Sequence, residues 1–309
     1  MLTRKATIDQ AIAFKNPERV PIWVDGDYIG LSDVLTYDLS LPDPSDPTKS
    51  EWGFKRSRRP DGNWIIPVEP TLPEWKQVDI YKAPPQDLKR RLARVPAASQ
   101  VCGDRYRLAS LGLSGYAVYC ALRGEKLSAV DFLIETSRFM ELMEIIMEFE
   151  TDLFDTLARK GFHGIEFCDD WGPRKTSRMT LSMWRTLLRE SYAKQIKRAH
   201  EVGLDVWFSV SDECSDFFGD LKQIGAQVVR VENPIKMEVA SLGRSHRGRL
   251  CFATRVDELH EGADSARVIR EVRECLGVLT GGFIATIGAH VPPEKIREIY
   301  DIVKEFKNA

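Results

Sequence analysis

Asp205-Val-Trp-Phe-Ser-Val210, the segment from Cys214 to Ile224, and Gln227-Val-Val-Arg-Val231 form the stretch that decides the fold. The outer two segments are short apolar runs of strand length, and the one between them has amphipathic, helical spacing. Strand, helix and strand in that order read as a βαβ unit, whose two strands lie parallel. The same rhythm extends in both directions. Upstream it gives strands at Leu108–Leu111 and Gly164–Phe167 and helices at Val130–Lys160 and Leu181–Val202. Downstream it gives strands at Leu250–Thr254 and Phe283–Ile287 and helices at Asp264–Leu276 and Pro293–Phe306. A short helix at Ile8–Phe14 precedes a first strand at Val20-Pro-Ile-Trp-Val24. Between Leu31 and Ala98 the rhythm stops. That stretch is rich in Pro, Asp and Trp, and Pro60-Asp-Gly-Asn63 is a turn signal, so residues 31–98 are expected to form an insertion carrying a hairpin.

Repeated right-handed βα connections close into a barrel or spread into an open doubly wound sheet. No G-x-G-x-x-G follows the first strand and no G-x-x-x-x-G-K-[ST] occurs, which favours the barrel. The expectation is an α/β protein with one (β/α)8 TIM-barrel domain over residues 1–309, a length such barrels commonly reach.

Composition narrows the function classes. The formal net charge of -2 comes from nearly balanced acids and bases, so there is no basic field for nucleic acid. The apolar runs stop short of the ~20 residues that a membrane helix needs. Asp9 and Gln10 interrupt the first apolar stretch, so it does not read as a signal peptide, and a cytoplasmic location is expected. The 6 cysteines are scattered singly and are read as buried small hydrophobes.

In parallel barrels the reacting groups sit just past the C-terminal ends of the strands. Here those positions hold Asp25 and Asp27; Glu166, Asp169, Asp170 and Trp171; Ser209, Ser211, Asp212 and Glu213; Glu232 and Asn233; Arg255, Asp257 and Glu258; and His290. The mouth is expected to be lined with carboxylates. A strand-end Asp also commonly caps the next helix, but acids recurring on several strands exceed what capping needs. Tyr116 and Trp171 would stack on a planar ligand or pack at the rim. His163, His200, His246 and His260 lack ligand-like spacing.

A family resemblance follows from several runs taken together. They are Asn16-Pro-Glu-Arg-Val-Pro21, Glu51-Trp-Gly53, Pro60-Asp-Gly-Asn-Trp64, Leu122-Arg-Gly124, Phe167-Cys-Asp-Asp-Trp-Gly172, Met179-Thr-Leu-Ser-Met-Trp184, Ala199-His-Glu-Val-Gly-Leu204, Asp216-Phe-Phe-Gly-Asp-Leu221, Gly248-Arg-Leu-Cys251, Gly281-Gly-Phe-Ile284 and Val291-Pro-Pro-Glu294. In order and spacing they resemble the uroporphyrinogen decarboxylase superfamily across nearly the whole chain. That resemblance implies a (β/α)8 barrel and one of two chemistries. True decarboxylases hold a polycarboxylate tetrapyrrole with arginines soon after the first strand. Here Trp23-Val-Asp-Gly-Asp-Tyr28 puts acids there, which would repel acetate side chains. The other branch transfers methyl groups to or from a corrinoid carried by a partner protein.

Thiol-methylating members of that branch carry a zinc site, a His-x-Cys motif on the central strand plus a distal cysteine. In Val206-Trp-Phe-Ser-Val-Ser-Asp-Glu213 those positions are Ser209 and Ser211, and no cysteine lies near Ile287–His290. The resemblance, so modified, implies a methyl-donor:corrinoid methyltransferase, with an aryl methyl ether as one donor class and O-demethylation as the reaction. Asp212, Glu213 and His290 are then the expected proton donors for the leaving group. Asp169, Asp170, Trp171, Tyr116, Ser209, Ser211, Glu232, Arg255 and Asp257 are the expected substrate-binding groups. An acid-rich mouth would also accommodate a divalent metal, although no ligand triad is specified by spacing. The expected partners are a small methylated donor, a corrinoid protein and a second copy in a homodimer. Three other readings stay open: a decarboxylase without cofactor, a thiol methyltransferase with an altered metal site, and a non-catalytic binder of corrinoid or substrate.

Overall fold

The computed structural model describes residues 2–26, 30–57, 69–93, 95, 103–169, 171, 179–210, 214–231, 245–256, 265–279, 281–288 and 291–306. Its strands are β1 (Ile22–Val24), β2 (Val34–Asp38), β3 (Tyr106–Leu113), β4 (Gly164–Cys168), β5 (Asp205–Val210), β6 (Val228–Val231), β7 (Cys251–Arg255) and β8 (Phe283–Ile287). They form one sheet in the order β1-β8-β7-β6-β5-β4-β3-β2, with every ladder parallel. The helices described are α1 (Arg4–Ile12), α2 (Trp75–Val78), α3 (Leu88–Leu92), α4 (Gly115–Ile134), α5 (Thr136–Thr151), α6 (Phe154–Arg159), α7 (Leu181–Leu187), α8 (Arg189–Glu201), α9 (Phe218–Ile224), α10 (Ser265–Leu279) and α11 (Pro293–Val303). This is the predicted (β/α)8 barrel. None of the described helices is long and apolar enough to cross a membrane.

Three expectations need correction. The stretch from Leu31 to Ala98, read as an insertion, supplies a barrel strand: β2 pairs with β3 from Val34↔Tyr106 to Asp38↔Ser110. Its five residues alternate too weakly between apolar and polar to stand out beside the Pro-rich sequence that follows. The hairpin expected around Pro60 to Asn63 lies outside the described residues. The helix expected over Val130–Lys160 is broken at Glu135 and again near Asp152, giving α4, α5 and α6. At the first break the Thr136 hydroxyl donates to the Phe132 carbonyl at 3.0 Å, a local bond that competes with the helical ladder. The helix expected over Leu181–Val202 likewise divides at Leu188.

Between β1 and β2 the ring is closed by side chains as well as backbone. The Ile22 amide donates to Asp33 Oδ2 at 2.8 Å, and the Asp33 amide donates back to the Ile22 carbonyl at 2.7 Å. The Val24 amide donates to Ser32 Oγ at 2.9 Å. Arg19 then clasps the buried Asp33 carboxylate with two bonds of 2.7 and 2.6 Å. Two short polar side chains replace a ladder that three-residue β1 cannot make alone.

The strand period of two separates two cores. Ile22, Val24, Phe167, Phe208, Val229, Phe252, Ala285 and Ile287 face the helices. Trp23, Val34, Tyr106, Leu108, Trp207, Val228, Cys251, Ala253 and Ile284 face inward and meet Ile8 and Ala11 of α1, which seals the N-terminal end of the barrel. Gly164 on β4 has to be glycine here, because a Cβ would lie 2.5 Å from the Tyr106 hydroxyl.

Candidate active site at the barrel mouth

Continuing each inward-facing row toward the C-terminal ends of the strands replaces apolar side chains with polar ones. The described upper positions are Asp25, Ser110, Glu166, Cys168, Ser209, Arg230, Arg255 and Thr286. Seven of these eight come from different strands or strand ends, the arrangement a barrel uses to converge groups on one small volume.

Arg230 on β6 organises this cluster. Its guanidinium pairs with the Asp25 carboxylate just past β1, reaches Glu166 Oε1 on β4 at 3.7 Å, and lies over the Trp23 ring at 4.4 Å. Arg230 and Glu166 are both buried. Buried ions persist only when they are paired, and two carboxylates facing each other here would repel without the cation between them. The cluster is therefore preorganised from three strands.

Beside it, Cys168 and Ser110 lie with Sγ and Oγ 3.6 Å apart. Burial, reinforced by the Glu166 carboxylate, pushes the Cys168 thiol well above its ordinary pKa. The side chain is held as a thiol, unlike the activated thiolate that nucleophilic cysteines need. Register places Ser209 of β5 between Cys168 and Arg230 on its two neighbouring strands. Register also places Arg255 of β7 beside Thr286 of β8, and Thr286 beside Trp23 of β1.

Three residues expected to contact substrate are positioned elsewhere. Asp169, at the end of β4, accepts from the Tyr116 amide at 3.1 Å and the Ala117 amide at 2.8 Å, and also accepts from the Tyr192 hydroxyl. It caps the start of α4, the alternative role that a strand-end Asp carries. Tyr116 is fully buried, and its hydroxyl donates to the Ser128 carbonyl at 3.3 Å. Trp171 is fully buried among Trp184, Tyr192, Phe208 and Phe217, and its Nε1 donates to the Tyr192 hydroxyl at 3.2 Å. These three side chains join the barrel to its helices and leave no ring face for a ligand. Gly115 has φ +50° at this joint, and a Cβ there would lie 2.4 Å from both Asp169 Oδ2 and the Tyr192 hydroxyl oxygen. Behind it, Glu150 of α5 accepts from the Gly115 amide at 2.7 Å and from Gln195 Nε2 at 2.8 Å. Burial pushes the Glu150 pKa up to about 8.

Of the other expected residues, Ser209 and Arg255 are at the mouth, while Asp170, Ser211, Asp212, Glu213, Glu232, Asp257 and His290 lie outside the described residues. Among the described residues no group of three or more His, Cys, Asp or Glu side chains is placed to hold a metal ion. Arg230, Trp23, Thr286, Ser110 and Cys168 were not among the expected site residues. For Arg230 a signal existed: an arginine at the centre of Val228-Val-Arg-Val231 is costly to bury unless partners wait inside.

No family model and no curated relative matches the chain. Its fold is that of a methyltransferase from Methanosarcina mazei, at TM-score 0.72 over 99% of both chains and 12% identity. A candidate vitamin-B12 independent methionine synthase from Listeria monocytogenes overlaps at TM-score 0.42, covering 65% of this chain and 62% of the other at 10% identity.

Proposed function

We propose that the chain is a methyltransferase that takes a methyl group from a small methylated donor, with an aryl methyl ether as the leading candidate, and passes it to a corrinoid carried by a partner protein. The observation that carries this reading is the division of the barrel interior. Its lower half is sealed by apolar side chains and α1, and its upper half is lined with charged and hydroxylic groups. The interior of a parallel eight-stranded barrel is a packed core, so a small donor would be held by the polar groups at its mouth, where a corrinoid on a partner protein can reach it. A donor seated on the polar lining presents only its outer end to an acceptor approaching the mouth, the alignment in-line displacement requires. The full-length likeness in shape to the Methanosarcina methyltransferase supports the same reading.

The corrinoid supplies the nucleophile that accepts the methyl group. The chain's residues orient the donor and manage the heteroatom left behind. Arg230, fixed between Asp25 and Glu166, shapes the pocket and keeps both acids from repelling the departing electron pair. The leaving oxygen needs a proton, and Asp212, Glu213 and His290 follow β5 and β8 in the chain at positions where a barrel supplies such groups. Serine at positions 209 and 211 argues for a donor that leaves as a protonated alcohol rather than an acceptor bound as a metal thiolate.

The test mixes the protein with a cobalt(I) corrinoid protein and, separately, methoxyarenes, methylamines and methylthiols. The expected result is a change in the corrinoid absorption spectrum with methoxyarenes alone. No change with any donor would remove the methyltransferase reading, and a change only with methylthiols would restore the thiol branch.

A further inference from the structure

Four of the six large apolar side chains left exposed among the described residues gather at one place. Ile80 is 79% exposed, Ile134 71%, Leu133 57% and Val130 40%. Val130, Leu133 and Ile134 follow the i, i+3, i+4 spacing of a single helix face at the end of α4. Arg138, one turn past Ile134, reaches Asp79 at 3.6 Å, which ties Ile80 to the same tip. Together the four side chains expose on the order of 400 Å², and apolar patches of that size on a single chain commonly mark an interaction site.

The tip is built to hold this face outward. α4 bends at Gly124, whose φ of +74° is open to glycine and costly for other residues. Past the bend, the buried Asp131 carboxylate accepts from Arg123 Nε at 2.7 Å and from the Tyr119 hydroxyl at 2.8 Å, and the Arg123 guanidinium lies over the Trp75 ring at 4.0 Å. Phe132 packs edge to face on Phe139 of α5, with ring centroids 6.1 Å apart. Asp131 and Phe132 thus anchor the inner face of α4, and Val130, Leu133 and Ile134 stand on a braced element. Docking on such an element costs little ordering entropy.

The charges around the patch favour one occupant. Lys82, Lys126 and Arg138 stand with Asp79 and Glu135, a mixture that selects neither a strongly acidic nor a strongly basic partner. A second copy of the same tip does match it. Lys126 lies at one end of the exposed face and Glu135 at the other, so two copies of the face packed antiparallel bring Lys126 of each beside Glu135 of the other. A two-fold axis makes that attraction twice, as an isologous interface does. A stable dimer buries about 800 Å² on each copy, with an apolar centre and a polar rim. The patch supplies the centre, and the flanking charges begin the rim. We propose that the chain forms a two-fold dimer through this tip, with the α4 helices antiparallel and the two α4–α5 hairpins meeting as a four-helix arrangement.

Sedimentation velocity of the intact protein at about 100 μM, well above the Kd of interfaces of standard size, is expected to give twice the mass of one chain. Leu133→Glu with Ile134→Glu alters two exposed positions, where substitutions seldom cost much stability, and is expected to give the mass of a single chain with an unchanged circular dichroism spectrum. Lys126→Glu alone is expected to weaken association several-fold, and Glu135→Lys added in the same chain is expected to restore it. These charge reversals keep the test decisive even if the Leu133→Glu, Ile134→Glu chain fails to fold. A single-chain mass for the unaltered protein, a dimer that survives the Leu133 and Ile134 changes, or no recovery in the double charge reversal would overturn the dimer. A single-chain mass that rises only on mixing with a corrinoid protein would assign the patch to that partner and overturn it as well.

Discussion

The two ends of the barrel interior are built from the same strands by opposite means. Below, Leu108, Trp207, Val228, Cys251 and Ile284 fill the space against α1, and the Tyr106 hydroxyl donates to Asp205 Oδ2 at 2.7 Å. Above, a few residues further along each strand, Arg230 sits between two acids, while among the described residues the Thr286 hydroxyl has no hydrogen-bond partner. The lower end is filled by apolar side chains, and the upper end carries charged and hydroxylic ones. That difference marks the upper end as the working one, because a parallel barrel carries its chemistry at the C-terminal ends of its strands.

Arg230→Met should show the largest effect. It leaves Asp25 and Glu166 close together without their cation, at an expected cost of roughly 3–5 kcal/mol in urea unfolding. Methyl transfer should be lost in the protein that remains folded. A variant with full stability would show that Arg230 does not hold the upper wall together.

Leu108→Ala tests the lower end and should separate the two halves. Removing a fully buried side chain from the inner cluster should cost about 2–5 kcal/mol. Donor affinity and turnover per folded molecule should stay as they were. If affinity fell as well, the lower end would belong to the binding site and the comparison would fail.

The joint that braces β4 offers a titration. Glu150 has a folded pKa of about 8, raised by burial from an ordinary 4.5. Below about pH 4.5 the acid is protonated in both states and its contribution is fully present. As pH rises toward 8 the unfolded chain gives up its proton and the folded chain keeps it, so stability falls by up to a few kcal/mol across that window. His163, pushed down to about 4 mainly by burial, works in the opposite sense below pH 6.5, so the difference between Glu150→Gln and the parent is the useful measure. That difference should grow in favour of the glutamine variant from pH 5 to 8. A flat difference would place the Glu150 pKa near its ordinary value.

Much of the fold was legible because parallel barrels repeat one signal. Strands such as Asp205–Val210 and Phe283–Ile287 have the bounds that their apolar runs predict. β2 was hidden because Val34-Leu-Thr-Tyr-Asp38 is short, partly exposed and embedded in a Pro-rich stretch. The site was legible as a location and less so as a set of residues. The rule that strand ends bear the chemistry pointed to Asp25, Glu166, Ser209 and Arg255. It could not separate an acid that faces the pocket from Asp169, one residue past β4, whose carboxylate turns to the α4 amides. Nor could it reveal Thr286 and Trp23, whose meaning depends on register between the first and last strands.

Cys168→Ser is the smallest change and the sharpest test of whether the upper end works by covalent chemistry. The thiol lies at the mouth beside Ser110, a position from which a nucleophile would act. Its raised pKa says otherwise, because a cysteine that keeps its proton near neutrality is a poor attacking group. Serine preserves a hydrogen-bonding partner for Ser110 in slightly less volume, so stability should fall by about 1 kcal/mol or less. Methyl transfer should stay within a few-fold of the parent from pH 6 to 9. A loss of several orders of magnitude would place the methyl group on sulfur during turnover and replace direct in-line transfer with a two-step route.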